Sequence, residues 1–260
     1  GAGGSEQCNR NLDEDLYKTF GNEPSFLEYD EDAVTLQVKY SLANFELVSI
    51  TGYRESDELV NTDFDATSVD FFTVRRAQKY KQFSQELRLA GDFTKNISGV
   101  FGVYYFNNEY QLNQDTSLGP IPSQTPSGLT INALTDHQVE SYAVFADFDF
   151  SLAKDWRLSV GGRYSNDEKT FSRTFLERLP RAPFIAQVNP KNNKDWSEVT
   201  PRVSLDYRPN DNTLLYGSYS KGYRSGGFNG RANSSFGVAA SFAPETVNSL
   251  EFGGKFTFVD

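Results

Sequence analysis

Apolar and polar residues alternate one for one through most of this chain, and a period of two is the signal of a half-buried β-strand. From Ser141 to Phe150, the residues Tyr142, Val144, Ala146, Phe148 and Phe150 share one face. Ser141, Ala143, Phe145, Asp147 and Asp149 share the other. Trp156, Leu158, Val160, Gly162 and Tyr164 oppose Arg157, Ser159, Gly161, Arg163 and Ser165 in the same way. The pattern recurs over 34–42, 199–208 and 249–258. It predicts an all-β chain with strands at 33–42, 45–54, 80–92, 97–111, 138–151, 156–172, 196–208, 212–224 and 245–258.

The connections constrain the fold further. Tight ones are expected near Ala43-Asn44, Phe93 to Asn96, Leu152 to Asp155 and Pro209 to Asp211. Long ones are expected at 55–79, 112–137, 173–195 and 225–244. The two kinds strictly alternate. In an antiparallel up-and-down meander that order puts every short turn at one end, as in outer-membrane barrels with short periplasmic turns and long outer loops. The long connections hold Pro120, Pro122, Pro126, Pro180, Pro183, Pro190 and Pro244, as a water-exposed rim would. One face is greasy enough for lipid and the other polar enough for a wet lumen. Tyr53, Tyr104, Tyr105, Phe106, Trp156, Tyr164, Trp196, Tyr207, Tyr219 and Tyr223 lie near strand ends, where interfacial girdles are expected. A soluble β-sandwich would turn the apolar face inward, and period two alone does not separate the two.

Composition removes several classes. Thirty-five Asp+Glu against 25 Lys+Arg give a net charge of -10, the wrong sign for a nucleic-acid partner, which needs a basic stripe. One Cys forms no internal disulfide, and one Cys with one His excludes the common zinc clusters. Aromatics at 15% are too many for a disordered chain. No apolar run approaches the roughly 18 residues of a spanning helix. That does not exclude a barrel, whose strands meet lipid with only every second side chain. The chain opens on Gly1 with no leader pattern, so its natural start is expected to have been removed.

Few residues suggest chemistry. Arg163, Arg202 and Arg208 fall on the predicted lumen face with Asp147, Asp149, Asp206 and Glu251. They read as contacts for an anionic ligand or as cross-strand ion pairs. In Lys221-Gly-Tyr-Arg-Ser-Gly-Gly-Phe-Asn-Gly230, a strand rises into a long loop, and Tyr223, Arg224 and Phe228 are candidate ligand contacts at the outer mouth. Its glycines precede no helical pattern, so they form no dinucleotide motif. His137 stands alone at a predicted strand start, and Cys8 reads as an exposed thiol. The acidic runs Asp13-Glu-Asp15 and Asp30-Glu-Asp32 lack calcium-loop spacing. No nucleophile–base pair is visible. Neither catalysis, a metal nor a cofactor is expected.

Several segments together resemble a known family. Phe83-Ser-Gln-Glu-Leu-Arg-Leu-Ala90, Tyr142-Ala-Val-Phe-Ala-Asp147 and Trp156-Arg-Leu-Ser-Val-Gly-Gly-Arg-Tyr164 are similar to strands of TonB-dependent outer-membrane receptors. So are Thr200-Pro-Arg-Val-Ser204, Leu215 to Phe228 and Pro244 to Lys255. The resemblance implies a large barrel in the outer membrane of a Gram-negative bacterium, in contact with its lipid. It implies uptake of a scarce small molecule, most often a ferric chelate such as a ferric siderophore, driven by TonB. This sequence shows neither the family's N-terminal plug nor its TonB-contacting box. Its end, Phe258-Val-Asp260, lacks the usual terminal aromatic. Residues 1–29 are therefore expected to be an outer loop or linker and 30–260 a partial barrel. Nine strands leave two open edges, which lipid does not tolerate, so further strands are required. A passive channel and a soluble β-sandwich binding module are the competing expectations.

Overall fold

The computed structural model describes residues 21–65, 70–119, 128–178, 185–188, 191–230 and 240–258. Cys8, Asp13 to Asp15, Pro120, Pro122, Pro126, Pro180, Pro183 and Pro190 lie outside them. The elements are β1 (Phe26–Leu42), β2 (Phe45–Asp63), β3 (Phe72–Thr94), β4 (Ile97–Leu118), β5 (Leu129–Ala153) and β6 (Trp156–Arg178). They continue with β7 (Ile185–Val188), β8 (Asn192–Asn210), β9 (Thr213–Arg224), β10 (Gly227–Phe228), β11 (Ser241–Phe242) and β12 (Glu245–Phe256). One antiparallel sheet runs β1-β2-β3-β4-β5-β6-β8-β9-β12, with β7 paired to the tip of β6 and a separate β10–β11 hairpin. Among the described residues the other sheet is the two-stranded β10–β11, so the large sheet is not matched by a second one of comparable size as in a β-sandwich.

The nine long strands match the expected ones, but most run further than predicted. The expected connection 55–79 contracts to 64–71, because β2 continues to Asp63 and β3 starts at Phe72. Likewise β4 reaches Leu118 and β5 starts at Leu129. His137 is therefore well inside β5 rather than at a strand start. β1 begins at Phe26, seven residues before the expected strand start and four before the expected barrel boundary at residue 30. All four tight connections are two-residue turns, 43–44, 95–96, 154–155 and 211–212. The last sits just past Pro209, which falls in a register shift between Tyr207 and Asn210. A bulge is where a strand tolerates a residue with no N–H.

Cross-strand register assigns the faces. Val34, Tyr53, Phe83, Val103, Val144, Val160, Val203 and Phe252 share one face. It is the exposed one: Tyr142 is 50% and Val144 46% exposed. Two aromatic rows bound it. The lower row holds Phe45, Phe93, Phe148, Phe150, Trp156 and Tyr207, with Phe45–Phe93 centroids 5.0 Å and Trp156–Tyr207 4.5 Å apart. The upper row holds Tyr53, Phe83, Tyr105, Tyr142 and Tyr164, with Tyr105–Tyr142 at 5.2 Å. On β6 the rows are eight residues apart, about 26 Å along the strand. A strand tilt of about 40° makes that about 20 Å of height, near the apolar band of barrels in membranes.

No Asp, Glu, Lys or Arg interrupts this face between the rows among the described residues. Its mid-band polar groups satisfy one another: Thr51 donates to Gln85 Oε1 (2.6 Å), and Gln85 donates to Ser49 Oγ (2.9 Å). Charge begins immediately above the upper row. Tyr105 and Tyr142 donate to Glu140 (3.0 and 2.6 Å), and Lys81 pairs with Glu55 at 3.0 Å. Tyr104, Phe106 and Trp196 were expected in the girdles, but register puts all three on the opposite, inner face.

Candidate functional site

The lower inner wall is polar and largely self-satisfied. Arg202 on β8 reaches Asp147 on β5, across the intervening β6, at 2.6 Å. It can do so because Gly161 lies between them, where a Cβ would collide with the Asp147 carboxylate. Arg163 lies over the rings of Tyr104 (5.3 Å) and Phe145 (5.7 Å), and its Nε donates to Ser165 (3.0 Å). Tyr216 donates to Glu251 Oε1 (2.6 Å), and Ser159 donates to Asp149.

Above this wall the chain bends inward. The β8–β9 ladder stops at Arg202–Ser220. The next β8 residue, Pro201, has no N–H to continue it. β9 stays paired to β12 through Arg224–Glu245 but leaves β8, and the following residues fold onto the inner face of β6 and β8. Phe228 stacks on Phe171 (centroids 5.5 Å, planes 9° apart) and meets Trp196 edge-on at 6.2 Å. Ala133, Phe171 and Phe175 form the buried cluster beneath, with Ile131 and Phe228 against it. Gly226 packs so closely on Trp196 and the Phe242 carbonyl that a Cβ has no room.

Cations ring this aromatic patch. Lys169 and Lys194 lie over the Trp196 ring at 5.8 and 5.5 Å, and Arg173 over Phe175 at 5.1 Å. Lys169 donates to the Gly226 carbonyl (2.7 Å) and Lys194 to Ser241 (3.0 Å). Burial holds Lys169 below its ordinary pKa; Asp167 opposes that shift, and Arg224 adds a smaller push in the same direction as burial. Burial and the Lys169 charge also lower the pKa of His137, whose ring meets Phe171 edge-on. The Tyr223 hydroxyl has no hydrogen-bond partner among the described residues. Burial, with the Asp167 and Glu198 carboxylates, pushes its pKa up to about 12. Lys221 pairs with Glu198 at 2.8 Å and holds that carboxyl low.

A second polar ledge lies on β1 to β4, around a cavity of about 250 Å³ lined by Tyr29, Arg54, Glu58, Gln78, Tyr80 and Tyr110. Arg54 donates to Tyr29 (3.1 Å) and to Glu31, which uses the middle carboxylate of the Asp30-Glu-Asp32 run. No group of three His, Cys, Asp or Glu among the described residues is placed to hold a metal.

The five expected ligand contacts thus separate. Tyr223, Arg224 and Phe228 are at the mouth, with Arg224 exposed and 3.8 Å from Glu245. Arg163 and Arg202 lie below. Phe228 stacks on Phe171, eight residues along β6 from Arg163, or about 26 Å. Sequence reasoning missed Phe171, Arg173, Lys169 and Trp196. The alternation that continues through Phe171, Arg173 and Phe175 was the available signal, and it ran on past the expected end of β6.

The family model of the TonB-dependent receptor-like β-barrel matches residues 4–260. The ferric yersiniabactin uptake receptor FyuA from Yersinia pestis superimposes with a TM-score of 0.73 at 20% identity, over 91% of this chain and 34% of that one. The siderophore receptor PiuA from Acinetobacter baumannii gives 0.61 at 18% identity, over 90% and 38%. The ferric citrate transporter FecA gives 0.61 at 11% identity, over 89% and 33%. The chain therefore spans about a third of the length of these structures, and the likeness shows their fold. The family consists of outer-membrane transport receptors of Gram-negative bacteria, not enzymes. This chain belongs to the TonB-dependent receptor β-barrel family.

Proposed function

We propose that this chain is a barrel segment of an outer-membrane receptor that imports a ferric chelate, energised by TonB through a region outside the chain. The observation that carries the reading is the family match over 4–260. The exposed, charge-free band between two aromatic rows supports a place in the bilayer. The four two-residue turns mark the periplasmic end, so β1 descends from the outside. The segment before Phe26 accordingly forms an outer loop leading into it, and the wall starts at Phe26 rather than at residue 30.

Tyr223, Arg224 and Phe228 line the outer mouth, with Lys169 and Lys194 beside them. Ferric chelates of catecholate or carboxylate type carry negative charge, and a mouth with cations over aromatic rings suits them. Arg163 and Arg202 line the path beneath. The test is uptake of radiolabelled ferric chelates by iron-starved cells expressing the full-length receptor, with and without TonB. Uptake that needs both receptor and TonB is expected. Uptake that persists without TonB would indicate a passive channel, and binding of no ferric chelate would remove the iron assignment.

A further inference from the structure

We propose that Arg173 is a positioning residue that fixes the β10–β11 hairpin as a permanent part of the inner wall. Residues 226–230 and 240–242 then set the width of the mouth and do not open and close as a lid. The inference rests on the transport reading for its consequence, though not for its geometry.

Both limbs of the connection are pinned. On the outgoing limb, the Gly226 carbonyl accepts from Lys169 (2.7 Å), Phe228 sits against Phe171 and Trp196, and the Gly230 carbonyl accepts from Arg173. On the returning limb, Ser241 accepts from Lys194 (3.0 Å), and Phe242 pairs with Gly227. Contacts thus hold the described residues of both limbs to the wall, whereas a lid is held at its hinge alone.

The wall beneath is sealed in a way that requires the hairpin in place. Arg173 and Phe171 are each 1% exposed and Trp196 is 7% exposed. Lifting the hairpin would bare two large rings and take a carbonyl acceptor from a buried guanidinium, which makes the lifted state rare. Two of the three polar contacts end on backbone carbonyls, so they need no particular loop side chain and no bound ligand. Arg173 is oriented for this role from both sides, with its guanidinium over Phe175 and its Nη1 on Gly230. The close seat of Gly226 on Trp196 leaves one depth at which the hairpin fits.

Amide hydrogen exchange of the unliganded full-length receptor in lipid tests the proposal and needs no transport. Gly227 and Phe242 should be protected in the wild type. In Arg173→Ala they should exchange about 100-fold faster, with Arg173→Lys intermediate and β2 unaffected. Arg173→Ala should also raise the uptake ratio of a bulky to a compact ferric chelate, which a purely structural role would leave unchanged. Fast exchange at Gly227 and Phe242 in the unliganded wild type would overturn the proposal. If no ferric chelate is taken up at all, the exchange result still decides the hairpin, and only the transport reading fails.

Discussion

Val160 is the position at which the placement of the apolar face has its largest energetic consequence. It lies on β6 four residues from Trp156 in the lower row and four from Tyr164 in the upper. That is about 13 Å along the strand to either row, and about 10 Å of depth at a 40° tilt. Its cross-strand neighbours are Phe148 and Val203. If this face meets hydrocarbon, Val160→Arg places a guanidinium near the bilayer midplane, at a cost of about 2–4 kcal/mol. Val199, opposite Tyr164 at the upper row, is the matched control. There an Arg reaches the interface and costs only about 0–1 kcal/mol. The difference of about 2–3 kcal/mol is measurable by equilibrium urea unfolding of the receptor in lipid vesicles, followed by tryptophan fluorescence. If this face met water, both substitutions would stay within about 0.5 kcal/mol of wild type. Equal effects at 160 and 199 would refute the depth assignment.

Other consequences are more local. A double-mutant cycle on Arg202→Ala and Asp147→Ala should give a coupling of only about 0.2–1 kcal/mol, because the pair lies in an open, wet lumen; a coupling several-fold larger would mean the lumen there is dry. The folded-state pKa of His137 is depressed by burial and Lys169, so the unfolded chain takes up a proton first. Its contribution to stability is complete above about 6.5 and falls as the pH drops from there to the lowered folded value, below which it is flat. His137→Gln should remove that slope from a pH series of unfolding midpoints, and an unchanged slope would contradict the burial. Ala43 holds a φ of 50° in the β1–β2 turn, a region costly for a residue with a Cβ. Ala43→Gly should therefore raise stability by about 0.5–1 kcal/mol in the same unfolding assay, and a loss would argue against this turn geometry.

The alternation at Ser141 to Phe150 and Trp156 to Ser165 was enough to give strand identity and face, because a half-buried strand has no other way to satisfy both of its surfaces. Turn order gave the meander, since Ala43-Asn44 and its three counterparts leave no length for a crossover. Strand ends were legible only where side chains change environment. Above the upper row both faces meet water, so residues such as Glu55, Asp57, Lys79 and Lys81 read as loop although their backbone stays in the ladder. Tyr104 and Trp196 were put in the girdles because nearness to a strand end says nothing about face, which parity alone decides. The hairpin was hidden for a different reason. It depends on a break at Pro201, on a bare Gly226 and on a wall that lies more than 50 residues earlier in the chain, at Phe171 and Arg173. No local pattern records a contact of that kind.

The central assignment is which face of the sheet looks into lipid. Nitroxide side chains placed singly from Val199 to Tyr207 in the bilayer-reconstituted receptor report it through collision with oxygen and with a water-soluble paramagnetic reagent. Oxygen accessibility should peak at Val199, Val203, Leu205 and Tyr207, with the aqueous reagent favouring Thr200, Arg202, Ser204 and Asp206. The reverse alternation, or aqueous access at Val203 and Leu205, would contradict the account.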